Sequence, residues 1–131
     1  MLYTQKTDHE FTAIAEKVVQ YAEKTGYEEI CADFDGYDSP SALKMVNNDV
    51  TFTNDFSAKR GDKKFFFELA VKNDDSTIQQ MLISKWKALE AIAKIKGGFL
   101  QIIIPNGSFK FATSLVKANH IEAKLIKIGD L

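Results

Sequence analysis

Asp55, Glu68 and Lys72 are the residues whose types and spacing suit chemistry. They lie in "NDFSAKRGDKKFFFELAVKND", residues 54–74, where an isolated acid is followed by a Lys/Gly turn and then by a run of large apolar side chains. Alternation along an extended chain puts Phe65, Phe67, Leu69 and Val71 on one side and Phe66, Glu68, Ala70 and Lys72 on the other. A carboxylate on so apolar a strand is costly to bury unless it is paired, hydrogen-bonded or bound to a cation. Folding the segment about Gly61 brings Asp55 towards Glu68. Two carboxylates and a lysine converging at the end of a sheet suit a hard divalent cation with a phosphate oxygen opposite. In the simpler alternative, Asp55 ends a strand and Glu68 pairs with Lys72 or with another basic neighbour.

The elements that must position these residues are legible on both sides of the hairpin. From Asp8 to Thr25, Phe11, Ile14, Ala15, Val18, Val19 and Ala22 recur at helical spacing, and Gly26 supplies the stop. "YEEICADF" reads as a short strand that ends in an acidic, turn-rich loop. Ser39 and Pro40 read as a cap and first-turn proline, which predicts one or two turns of helix over "PSALKMVN". "VTFTNDFSAK" and "KKFFFELAVK" are β-rich runs flanking "RGD", the signature of a hairpin with glycine in its loop. Asp75 or Ser76 caps a helix over 77–96, with Ile78, Met81, Leu82, Trp86, Leu89, Ile92 and Ala93 on its apolar face. Gln80, Ser84, Lys87, Ala91 and Lys94 face away. "FLQIIIP" is apolar enough to be a central strand covered on both faces, "SFKFATSLVKANH" is a further amphipathic helix, and "AKLIKI" is a closing strand. A hairpin and parallel crossovers in one chain predict an α/β domain over residues 1–131, in three layers, with helices on both sides of a mixed sheet.

Composition bounds the function classes. With 131 residues, 45% hydrophobic and 27% charged, the chain has the character of one soluble domain, and its apolar runs are far shorter than a bilayer span. No charged n-region precedes an apolar stretch in "MLYTQKTDHE", so export is not expected, and the one cysteine, Cys31, suits a reducing cytoplasm. The net charge of −1 hides an asymmetry: residues 1–50 hold four Lys/Arg against ten Asp/Glu, whereas residues 51–131 hold thirteen against eight. Lys59, Arg60, Lys63 and Lys64 at the hairpin tip, with Lys87 and Lys94 on the outer helix face, are the candidates for contact with a nucleic-acid backbone. Solvated helix faces are the commoner explanation of such lysines.

The order of elements, and "D-F-S-A-K-R-G-D-K-K-F-F-F-E" with Asp55 thirteen positions before Glu68, resembles the PD-(D/E)XK nuclease superfamily. The likeness is to its small members such as archaeal-type Holliday junction resolvases, and it covers nearly the whole chain. It implies a restriction-endonuclease-like core in which Asp55, Glu68 and the Leu69 carbonyl hold Mg²⁺ or Mn²⁺. Lys72 would orient the nucleophile, and Glu16, on "AEKVVQYAEKTGY", which looks like the family's first helix, would steady the site. Two functions follow from the resemblance. One is metal-dependent hydrolysis of phosphodiesters in DNA or RNA, carried out by a homodimer as in resolvases. The other is a degenerate nuclease fold that binds nucleic acid or a protein partner without cutting. Two departures bear on the choice: Asn54 stands where the family has proline, and Ala70 stands where it has lysine, with Lys72 about 6.6 Å further along the strand.

Other signals carry less. Asp33, Asp35 and Asp38 lack the spacing and the distal glutamate of an EF-hand loop and read as a solvated acidic loop. His9 and His120 have no partner at metal spacing. Cys31 reads as a small buried hydrophobe, "IPNGS" as a turn opening a helix, and "RGD" as a hairpin turn.

Overall fold

Three amphipathic helices, seven strands and a short 3-10 helix (Ile128–Asp130) lie within the described residues of the computed structural model, which are 9–33, 37–38, 40, 43–44, 51–52 and 54–131. The first helix, α1 (His9–Lys24), buries Ala15, Val18 and Ala22, as its 3.6-residue spacing dictates. It ends in a glycine-based stop. Gly26 takes a φ of 89°, which lets its own N–H reach the Glu23 carbonyl and the Tyr27 N–H reach the Ala22 carbonyl at 2.9 Å.

Five strands form one mixed sheet: β1 (Glu28–Ala32), β4 (Phe56–Arg60), β5 (Lys63–Leu69), β6 (Leu100–Ile104) and β7 (Lys124–Lys127), in that spatial order. The pairs β1/β4 and β4/β5 are antiparallel, and β5/β6 and β6/β7 are parallel. The two parallel steps need crossovers, which α2 (Ser76–Ile95) and α3 (Phe109–Ala118) provide. Asp75 caps α2 as the sequence predicts, its carboxylate accepting from the Thr77 and Ile78 N–H groups.

Alternation along β5 splits the core into two layers. Phe65, Phe67 and Leu69 pack with α1, Tyr27, Phe56 and Ile103, while Phe66 and Ala70 pack with Trp86 and Leu89 of α2, Ala112 and Val116 of α3, and Ile102 and Ile104. The fold is therefore α/β with helices on both faces of a mixed sheet, and β6 is buried along its whole length, apolar except for Gln101, whose side-chain amide donates to the Tyr27 hydroxyl at 3.1 Å. Each large side chain so buried contributes on the order of 2 kcal/mol. No helix among the described residues is long and apolar enough to cross a membrane.

Two expectations change. Leu43–Lys44 (β2) pairs antiparallel with Thr51–Phe52 (β3), so these residues are strand where a short helix was predicted. The β-prone run "VTF" supplies a backbone partner that outweighs a weak local helix signal; the rest of "SALKMVN" lies outside the described residues. The run "VTFTNDFSAK" is also broken, since β3 ends at Phe52 and β4 begins at Phe56. Asn54 and Asp55 stand in the break, where the Asn54 side-chain amide donates to the Phe56 carbonyl.

The β4/β5 hairpin closes through Gly61 and Asp62, with Gly61 at a φ of 62° and Arg60 paired with Lys63. A second close approach lies behind it. A Cβ placed on Gly98 would sit 1.8 Å from the Lys64 carbonyl oxygen, so the turn after α2 can pass β5 only without a side chain. Gly98→Ala should therefore cost about 2–4 kcal/mol in a urea melt, whereas Gly129→Ala, with open space around its Cβ, should change the midpoint little.

Candidate active site

The register that pairs Phe56 with Phe67 sets Asp55 opposite Glu68, just beyond the end of the ladder. In place of a further strand bond, the Asp55 N–H donates to Glu68 Oε2 at 2.5 Å. On the other strand, the Leu69 N–H donates to Asp55 Oδ2 at 2.8 Å. Each carboxylate is thus fixed by a main-chain amide of the opposite strand, and its second oxygen is left for another partner.

That partner comes from α2. Lys85 Nζ lies 3.0 Å from Glu68 Oε1 and 3.8 Å from Asp55 Oδ1. The contact at Oε1 is charge to charge, since no hydrogen-bond donor among the described residues is aligned on that oxygen. Glu68 has no exposed surface and Asp55 only 3%, while the Lys85 side chain keeps 12%. Two ionised carboxylates and one ammonium leave a net −1 in a site nearly closed to water. Burial first, and then the charge of Asp55, push the Glu68 carboxyl up from the ordinary 4.5 to about 7, against the downward pull of Lys85 and of the Asp55 amide.

Around this cluster the chain is held by main-chain bonds. The Asp33 N–H donates to the Asp55 carbonyl at 2.8 Å, which ties the end of β1 to the break, and the Ala70 N–H donates to the Ile103 carbonyl at 3.0 Å. Asp33 is itself buried, at 3% exposure, and so does not belong to a solvated acidic loop; Asp38 is exposed and Asp35 lies outside the described residues. Cys31 is half-buried on the edge strand β1.

The structure brings Asp55 and Glu68 together around Leu69, as the hairpin pattern predicts, and gives the other candidates different positions. Lys72 lies past the end of β5 with an exposed side chain, and its N–H donates to Ser108 Oγ at 3.0 Å. The strand ends at Leu69, so the alternation that put Lys72 on the face of Glu68 does not extend to it. Glu16 is exposed on α1, which packs on the opposite face of the sheet from α2. Its electrostatic effect falls on Tyr37, whose hydroxyl is pushed up by burial and, secondarily, by Glu16 and Glu23.

The basic candidates are spread widely. Lys59 pairs with Glu29 at 3.0 Å, and Arg60 donates to the Thr25 carbonyl at 2.7 Å while lying 4.1 Å over the Tyr27 ring. Lys94 pairs with Glu90 and Glu122. Lys64 lies half-buried, 5.7 Å from the Phe66 ring, and Lys63 and Lys87 are exposed. By strand rise, Lys63 and Lys64 stand about 13–17 Å from Glu68, at the opposite end of the hairpin. They do not ring the carboxylates.

Lys85 is the residue the sequence reading missed. Its signal was present, because it falls three residues after Leu82 and four before Leu89, a lysine within the apolar stripe of α2. A charge there needs a buried partner, and Glu68 is the partner. Among the described residues no group of three or more His, Cys, Asp or Glu side chains is placed to hold a metal. Compared with protein-family models, curated proteins and solved structures, the chain matches none.

The raised Glu68 carboxyl fixes a sign for pH dependence. Between pH 4.5 and about 7 the folded protein holds a proton that the unfolded chain has released, so stability falls as pH rises through that window. The loss should total about 3 kcal/mol in denaturant melts taken with chelator present. Glu68→Gln should flatten this part of the profile, and an equal slope in that variant would contradict the assignment.

Proposed function

We propose that this chain is a divalent-metal-dependent nuclease of the PD-(D/E)XK type, with a restriction-endonuclease-like core, in which Lys85 stands in for the lysine missing at Ala70. The observation that carries the proposal is the meeting of Asp55, Glu68 and Lys85 at one end of the β4/β5 hairpin, with both carboxylates held by main-chain amides. The donor set suits a hard cation, since Asp55 Oδ1 and Glu68 Oε1 converge on a single positive charge and all the candidate ligand atoms are oxygens. Asp55, Glu68 and the Leu69 carbonyl would hold Mg²⁺ or Mn²⁺. Such an ion lowers the pKa of a bound water and neutralises charge on a phosphodiester.

The chain's own groups do the rest. The amides of Asp55 and Leu69 keep the carboxylates from turning, which fixes the place of the scissile phosphate relative to them. Lys85 carries a compact positive charge on a flexible stem, suited to a non-bridging phosphate oxygen. Lys63 and Lys87 would contact the nucleic-acid backbone further out, and two copies of the chain would cut the two strands of a duplex, in a cytoplasmic setting.

One observation favours the non-cutting alternative: Glu68 is wholly buried and already faces an ammonium. A domain that used the triad only to brace its hairpin would bind nucleic acid or a protein partner elsewhere. Cleavage assays on single-stranded, duplex and branched DNA and on RNA, with Mg²⁺ or Mn²⁺, separate the two. On the nuclease reading, Asp55→Asn and Glu68→Gln abolish cleavage, Lys85→Met lowers it on the order of 10²–10³-fold, and Lys72→Ala leaves it within about threefold. No cleavage of any substrate by the wild type would remove that reading, and full activity in Lys85→Met would remove the part given to Lys85.

A further inference from the structure

Lys85 does for Asp55 and Glu68 what a metal ion would do. One oxygen of each carboxylate is tied to a main-chain amide, and the two remaining oxygens face the same ammonium. The fit is one-sided: 3.0 Å to Glu68 is ion-pair contact, whereas 3.8 Å to Asp55 is longer than a hydrogen bond. A divalent ion in the same place would bring two positive charges to the two carboxylates where the ammonium brings one. The ammonium has a way out, because its stem is four methylenes long and the side chain keeps 12% exposure at a site otherwise closed.

We propose that Lys85 is a tethered surrogate cation, which fills the meeting point of Asp55 and Glu68 until a divalent metal displaces it and which then turns its charge towards the substrate phosphate. This rests on the metal site of the proposed nuclease and adds an order to it. The carboxylates are never without a counter-charge. Metal enters by exchange with Lys85, and the ammonium becomes available to an anion only after that exchange. The empty-handed protein is thus kept folded by the same side chain that later meets substrate.

The test compares wild type and Lys85→Met, freed of metal, by thermal melting and by calorimetric titration with Mn²⁺. In chelator the variant should melt below wild type, because two buried carboxylates lose their partner. With Mn²⁺ it should gain more in melting temperature than wild type does and bind the ion at least on the order of tenfold more tightly. Binding by the variant alone would overturn the exchange, because metal would then never displace Lys85 in the wild type. Equal or weaker binding by the variant would overturn the proposal and leave the metal site standing, and no binding by either protein would overturn both. Amine labelling of wild type, read residue by residue by mass spectrometry, covers the case of a variant that does not fold. Mn²⁺ should raise the labelling of Lys85 several-fold with Lys63 and Lys87 unchanged, and an unchanged Lys85 in protein that binds Mn²⁺ would overturn the exchange.

Discussion

Two carboxylates held side by side out of water constrain everything near them. Desolvation of a charged group costs several kcal/mol even after the protein relaxes, and a second like charge adds to that cost. Asp55 and Glu68 meet it with three devices: an amide from each opposing strand, an ammonium from α2, and a Glu68 carboxyl pushed up to about 7. A buried ion pair of this kind is a poor way to stabilise a fold, since apolar side chains of similar volume generally do as well or better. Removing one partner of such a cluster is another matter, because it leaves a charge buried and unpaired.

The fold meets those requirements through register and crossover. One residue of slip between β4 and β5 would turn Glu68 from the α2 side to the α1 side and leave Asp55 without its partner. The break at Asn54 and Asp55 frees the Asp55 amide from the ladder at the position where it can meet Glu68. The parallel step from β5 to β6 then obliges α2 to run back across the sheet on the face that Glu68 occupies, which carries Lys85 over the carboxylates. Gly98 lets the chain leave α2 and enter β6 tight against the Lys64 carbonyl, so helix and sheet stay close enough for that contact.

Much of this was legible in residue order. Helical spacing located α1, α2 and α3, the nearly all-apolar run of "FLQIIIP" placed β6 inside the sheet, and Gly61 fixed the turn that brings Asp55 to Glu68. What failed did so where local patterns were extended past their range. Strand alternation was carried to Lys72, two residues after the main-chain pairing changes, and Ser39-Pro40 promised a helix where Leu43 and Lys44 find a strand partner instead. The positive charge that meets the carboxylates arrives from a helix seventeen residues beyond Glu68, a long-range contact that no single window displays. Its trace was a lysine among the leucines of α2.

The distribution of charge also bears on the order of events at the proposed site. With Lys85 in place the cluster carries −1 when all three groups are ionised, so it attracts cations and repels a phosphodiester. Most of the other basic side chains do not change this, because Lys63 and Lys64 stand at the far end of the hairpin and Lys59, Arg60 and Lys94 are occupied within the fold, which leaves Lys87 exposed on α2. A divalent ion between Asp55 and Glu68 would bring the local charge from −1 to +1 with Lys85 still nearby. The sign of the field then reverses at the scissile position alone. On the proposed reading, a phosphodiester is drawn to the carboxylates only after metal has entered, and the discrimination between a loaded and an unloaded protein resides in three side chains rather than in a basic surface.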